Sequence, residues 1–255
     1  MTLRFSTGAR NAMASTLGLQ GAFNHGYMEI YTGSQPANAD AAKTGTFLGR
    51  ISKASATLTK ETRAVGTVTI TGASGGSINS ISVGGLNVIP DGAIAVAGDT
   101  TSTLAAKLAD AINRNGIMQA SVSGAVVTLK GRPGTGLTTA AVTGSLTTVT
   151  ATYGDMASGG APANGLVWAP PALGIISKNS DVWSMLGEAI GTAGWFRYYG
   201  SDTADTGAAL SGEPWYPRID GTCGVGSGDA QLSSLAVTIG SPHTVDVFRF
   251  TMQGA

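Results

Sequence analysis

Ser74, inside Gly72-Ala73-Ser74-Gly75-Gly76, is one group in this chain whose spacing could do chemistry. The letters match the nucleophile elbow of serine hydrolases, where a strand-to-helix turn exposes the hydroxyl. Here alternating Thr and apolar residues stand on both sides, at 67–71 and 78–83, so the serine reads as part of a hairpin turn. Gly224-Val225-Gly226-Ser227-Gly228 has the glycine density of a phosphate-cradling loop. No Lys-Ser/Thr pair and no helical pattern follows it, so it reads as a connection. His25 and His243 are far apart and outside any ligand pattern, and no HExxH, CxxC or Cys/His cluster points to zinc. Cys223 is the single cysteine, which excludes an internal disulfide. Asp202, Asp205, Glu213 and Asp220 offer oxygen ligands in one region, but without a calcium-loop spacing they read as solvated loop carboxylates. The expectation is no enzyme, no metal and no cofactor.

The remaining chemistry is that of contact. Trp195, Phe196, Tyr198, Tyr199, Trp215 and Tyr216 form a local aromatic concentration. Half of such side chains in a strand face a core; the others suit a subunit contact or a sugar-stacking platform. Candidate assembly contacts are Leu3, Arg4 and Phe5 in the N-terminal segment, Pro36 in a polar loop at 32–46, and Trp215 and Tyr216 at the end of a loop at 201–216. Chain termini and exposed loops are where a subunit can reach its neighbours.

Composition agrees with a building block. Thirty-eight of 255 residues are glycine, roughly twice the usual share, while only 12% are charged, about half the usual fraction. Fifteen basic residues balance 15 acidic ones without any cationic run, so neither nucleic acid nor an anionic membrane is an expected partner. No apolar run approaches the ~20 residues that span a bilayer. The first residues lack the apolar core of a signal peptide, which predicts synthesis in the cytoplasm. A surface this poor in charge suits burial against other subunits.

Periodicity then places the elements. Ser6 or Thr7 can cap a helix over 8–17. Residues 27–31 and 47–52 alternate as strands. Two hairpins are expected in the middle of the chain, 67–71 with 78–83 and 119–122 with 125–130. Between them Leu104, Leu108, Ala111 and Ile112 form one apolar helical stripe, with Asp99 or Thr100 as N-cap and Gly116 as left-handed C-cap. A further strand is expected near 138–152. Residues 182–190 and 194–199 read as a strand pair joined near Gly191, and 218–221, 232–239 and 244–252 as further strands. In the last of these the alternation slips between Val247 and Phe248, as a bulge requires. The fold expected is mainly β: a discontinuous β-sandwich or jelly-roll-like host, 1–63 plus 157–255, carrying an inserted ββαββ module at 64–156.

Two stretches carry a family likeness. YMEIYTGSQPANADAAKTGTFLGRIS (27–52), GTAGWFRYYG (191–200) and RIDGTCGVGSGDAQLSSLAVTIGSPHTVDVFRFTM (218–252) resemble, in collinear order, a family of tailed-bacteriophage virion structural proteins. The middle segment, GDTTSTLAAKLADAINRNG followed by ASVSGAVVTLKGRPGTG, is similar to a small module that decorates phage tail proteins. The resemblance implies a non-enzymatic, multi-copy particle component in the tail or neck, bound to other virion proteins and to copies of itself. The alternatives are a capsid decoration protein or, in another class, a receptor-recognition module that binds a host glycan through Trp195, Trp215 and Tyr216.

Overall fold

The computed structural model describes residues 3–14, 18–203 and 216–251. The chain is mainly β. It divides into two compact units: the first comprises 1–14, 18–61 and 162–255, the second chiefly 62–161.

The first unit opens with β1 (Arg4–Phe5), α1 (Thr7–Ala14), α2 (Gly18–Phe23), β2 (Tyr27–Thr32) and β3 (Phe47–Lys53). The second holds β4 (Val65–Gly72), β5 (Ser77–Val83), β6 (Leu86–Asn87), β7 (Ile94–Ala95), α3 (Thr101–Asn115), β8 (Gln119–Ser123), β9 (Val126–Lys130), β10 (Val142–Thr147) and β11 (Thr150–Ala157). The first then resumes with β12 (Ile175–Ser177), β13 (Trp183–Leu186), β14 (Gly191–Tyr199), β15 (Arg218–Gly224), β16 (Ala230–Leu232), β17 (Ala236–Val237) and β18 (Pro242–Thr251).

In the first unit the order β15-β16-β18-β13-β3-β2-β14 closes on itself, because β14 also pairs with β15 from Trp195↔Thr222 to Tyr199↔Arg218. The result is a barrel-like sheet of seven strands, antiparallel except for β15 and β16. The short strands β1, β12 and β17 add to β15, β18 and β14. Closure removes the open edges that long sheets otherwise present. The pair expected between 182–190 and 194–199 does not form: β13 lies between β3 and β18, and β14 between β2 and β15. Alternation identifies a strand and its faces but not its partner. The segment after Arg218, expected to turn at Gly221, continues extended to Gly224. Gly221 is required there, since a Cβ would stand 2.6 Å from the Phe196 ring and 2.8 Å from Leu3. In β18 the slip falls slightly earlier than the sequence suggests. Val245 is buried, Asp246 and Val247 both face outward, and Phe248 is buried again. Opposite them, Leu232 pairs with Val245 and Gln231 with Val247, which skips Asp246. The first helix is capped as expected, Ser6 Oγ accepting from Ala9 N at 3.0 Å, and is described as far as Ala14; residues 15–17 of the expected span lie outside the described residues.

The second unit has two four-stranded sheets. One runs β10-β5-β6 with β7 also on β5; the other runs β11-β4-β9-β8. The β8–β9 hairpin is as expected. The hairpin expected between β4 and β5 is absent: β4 pairs with β9 and β11, while residues 73–76 carry the chain into the other sheet. The strand expected near 138–152 is two strands, β10 and β11. Helix α3 packs on β4, β8 and β9. Its Thr100 hydroxyl and Thr103 form a reciprocal capping box, and Gly116 ends it at φ 62°. Leu104, Leu108, Ala111 and Ile112 are buried together with Ala105 and Ala109.

Candidate assembly surface

The interior of the barrel is closed to ligands by its own aromatic side chains. Phe196 and Tyr198 on β14 meet Phe248 on β18 with ring centroids 5.3 and 5.8 Å apart. Trp183 on β13 and Trp168 join them at 5.9 and 5.2 Å. β14 and β18 are not neighbours in the ring, so these contacts cross it and fill it. Trp195, Phe196, Tyr198 and Tyr199 are all buried. The expectation that half of them face outward is therefore corrected, and Trp195, with no exposed surface, offers no platform for a sugar.

The opposite face of β14 explains why. Trp195 stacks on Tyr31 at 4.7 Å and Tyr199 on Tyr27 at 4.8 Å. Between them the Arg197 guanidinium donates to both Asp220 oxygens at 2.7 Å, a bidentate pair with neither side chain exposed. Burial raises the Asp220 carboxyl against the opposing pull of Arg197. Glu29 accepts from Tyr31 Oη at 2.5 Å and from Arg50 at 2.9 Å, with Lys43 at 3.4 Å. The 33–46 segment covers this wall: Arg197 donates to Ala41 O at 2.9 Å, and Asp40 accepts from Thr7 N and Oγ1. Asp202 and Asp220, expected as solvated loop carboxylates, are both buried; Asp205 and Glu213 lie outside the described residues. The backbone of Asp202 forms an isolated parallel β-bridge with that of Glu61. Among the described residues no group of three His, Cys, Asp or Glu side chains is placed to hold a metal. Burial, and secondarily Asp229, pushes the Cys223 thiol up to about 12, far from a reactive thiolate. Ser74 lies in the bend between β4 and β5, not at a strand–helix junction.

The residues proposed as contacts from sequence are mostly tied down within the first unit. Arg4 and Phe5 pair with Asp220 and Ile219, the Arg4 guanidinium donates to Pro36 O, and Phe5 packs 6.2 Å from Phe250. Leu3 lies against Gly221, Pro36 is buried and Tyr216 is half-buried. Trp215 lies outside the described residues. The N-terminal segment is thus an added strand of the barrel, not an arm.

Three of the first unit's exposed apolar side chains lie on two segments joined at one rim. Leu186 pairs with Pro242, Gly187 N donates to Ser241 O at 2.9 Å, and Gly240 N returns to Gly187 O at 2.8 Å. Gly191 pairs with Val237. These bonds join 186–191 to 237–242, and the joined segments expose Leu186 (52%), Ile190 (73%) and Ile239 (70%) beside exposed Pro242. An open cleft of about 260 Å³, lined by Arg50, Ser52, Ser55, Leu58, Leu186 and Glu188, borders this rim. No protein-family model and no curated protein sequence matches this chain. Sequence reading missed the rim because it placed 186–190 and 237–239 inside strands. The available signal was a bulky aliphatic residue just before a glycine, as in Ile190-Gly191, where β14 begins, and Ile239-Gly240, in a turn.

Proposed function

We propose that this chain is a non-enzymatic, multi-copy structural component of a tailed-bacteriophage virion, associated with the tail or neck. The observation that carries the reading is the apolar rim of Leu186, Ile190, Ile239 and Pro242 on a barrel already filled by its own aromatics. Several clustered aliphatic side chains in water mark a contact surface, and a sparsely charged chain has little else to keep it apart from its copies. The likeness of 27–52, 191–200 and 218–252 to virion proteins supplies the kind of assembly. In this reading the first unit is a jelly-roll-like host whose closed sheet flattens into two layers, and the second is an α+β module inserted in one host loop and displayed outward.

Ile190→Asp with Ile239→Asp tests the rim. The wild-type chain should sediment as concentration-dependent oligomers, and the double variant as a monomer with the same melting temperature. Gold-labelled antibody against the chain should then decorate particle tails at repeated positions. Label confined to heads would assign a capsid decoration role instead, and unlabelled particles with a monomeric wild-type chain would overturn the proposal.

A further inference from the structure

Among the described residues the most exposed large apolar side chain is Leu173, at 99%, on the tip of a tight hairpin. Ala172 N donates to Ile175 O at 3.0 Å and Ile175 N to Ala172 O at 2.8 Å, which leaves Leu173 and Gly174 as the two turn residues, at φ 51° and 74°. A two-residue hairpin turn with both angles positive suits Asn-Gly. A leucine there is strained, because its Cβ crowds the following carbonyl, and strain of this kind gathers at functional sites. Pro170, Pro171, Ala172 and Gly174 are exposed as well, so the tip is a continuous run without a polar side chain. Such a run on a surface is a fault unless it has a partner. The hairpin is also firmly held: Ala169 N donates to Ser177 O at 2.9 Å, Trp168 bridges Lys178, and Ile175 pairs with Thr251 of β18. A projection fixed in this way loses little freedom on docking.

The matching recess is a cleft of about 340 Å³ in the second unit, at the small end of binding pockets. Val83, Val88 and Met118 give it buried apolar surface, and Leu86, 58% exposed, and half-buried Leu137 carry the lining out to solvent. Apart from Arg132 and Thr135 the lining has no polar side chain. Other clefts suit an uncharged tip less well: Arg50 and Glu188 put charge in the one beside the rim, and Asp91, Lys107, Asp110 and Arg114 line another. We infer that Leu173 of one copy of the chain seats in this apolar cleft of a second copy. The contact is heterologous, so each copy offers one tip and one cleft and joins two neighbours. It rests on the reading of the chain as a multi-copy component and adds to the rim. A single leucine in a cleft is too little to hold two copies together, so the tip strengthens and orients an association that the rim begins.

Sedimentation of the full chain tests it. Leu173→Asn creates the favoured turn pair, so the melting temperature should rise while self-association weakens by about tenfold or more, as for the loss of one buried leucine. Leu86→Lys puts a charge in the cleft at an exposed position and should weaken association to the same degree without lowering the melting temperature. An equimolar mixture of the two variants should associate more tightly than either alone, because the intact tip of one meets the intact cleft of the other. Oligomers that form as readily with Leu173→Asn or Leu86→Lys as in wild type, or a mixture no tighter than its components, would overturn the tip-to-cleft contact and leave the rim standing. A monomeric wild type would sink the tip and the rim together.

Discussion

The two units solve the same problem, a closed core in a glycine-rich chain, with different side chains. Residues 62–161 contain one aromatic residue, Tyr153, and their core is built from Val, Ile, Leu, Ala and Met. All four tryptophans lie outside that range, and the barrel is filled by interlocking rings. Buried polar groups divide in the same way. The barrel unit hides Glu29, Glu61, Arg197, Asp202, Arg218 and Asp220, whereas among the described residues of 62–161 only Arg63 is a buried charge. The difference follows from geometry. In the second unit a helix covers one sheet, so small aliphatic residues suffice to fill the space between them. In the barrel, β14 is buried on both faces; its inner face needs large rings to reach across, and its outer face retains polar groups that must then be paired. Pairing of that kind adds directional constraint to a wall that apolar contact alone would leave free to slide.

Trp183→Ala breaks this comparison most severely. It empties the centre of the ring cluster and should cost about 3–5 kcal/mol, in the range of buried aromatic truncations. Because every tryptophan lies outside 62–161, the melting transition followed by tryptophan emission reports on the barrel unit alone. That transition should fall sharply, while hydrogen exchange of the 101–115 peptide stays at its wild-type rate. Loss of protection in α3 to the same degree would mean that the two cores unfold as one.

Thr100→Ala is the smaller, reciprocal test. It removes the hydroxyl that accepts from Thr103 N and should cost about 1 kcal/mol, typical of a lost N-cap. Exchange in 101–115 should quicken several-fold with tryptophan emission unmoved. A shift in the tryptophan transition would contradict separate cores.

What the sequence made legible follows the same division. Helix α3 could be read in its apolar stripe and its C-cap, with the N-cap narrowed to Asp99 or Thr100, because a helix records its buried face and its ends in residues close in sequence. The β8–β9 hairpin was equally readable for the same reason. Strands β13 and β14 were visible as strands, but their partners were not, since closure of the ring joins segments as distant as β2 and β14. The burial of both faces of β14 was hidden too. Arg197 and Glu29 look like outward residues until the 33–46 segment is laid over them. The apolar rim was illegible for the converse reason: Ile190 and Ile239 are apolar in alternating stretches, and their exposure depends on pairing between 186–191 and 237–242 that local sequence does not record.

The finest separation between the units is by pH. Burial alone would raise the Glu29 carboxyl, but hydrogen bonds from Tyr31 and Arg50 and the charge of Lys43 outweigh it and hold the group below its ordinary value of 4.5. An acid whose folded pKa is depressed is protonated first in the unfolded chain. The stability it contributes is therefore present above about pH 4.5 and drains away as the pH falls toward the folded value. Asp99 in the second unit is also lowered, chiefly by the hydrogen bond from Lys107, but that partner is an exposed lysine on a surface helix, so solvent screens the pair. Between pH 5 and 3 the tryptophan-detected melting temperature should decline, and Glu29→Gln should flatten the decline while lowering the plateau above pH 5. Exchange in 101–115 should show the same pH profile in wild type and in Glu29→Gln. Identical slopes of the tryptophan transition in the two proteins would mean that the Glu29 network fixes the shape of the wall without stabilising its charged form, and the polar pairing of the barrel would then be a matter of geometry alone.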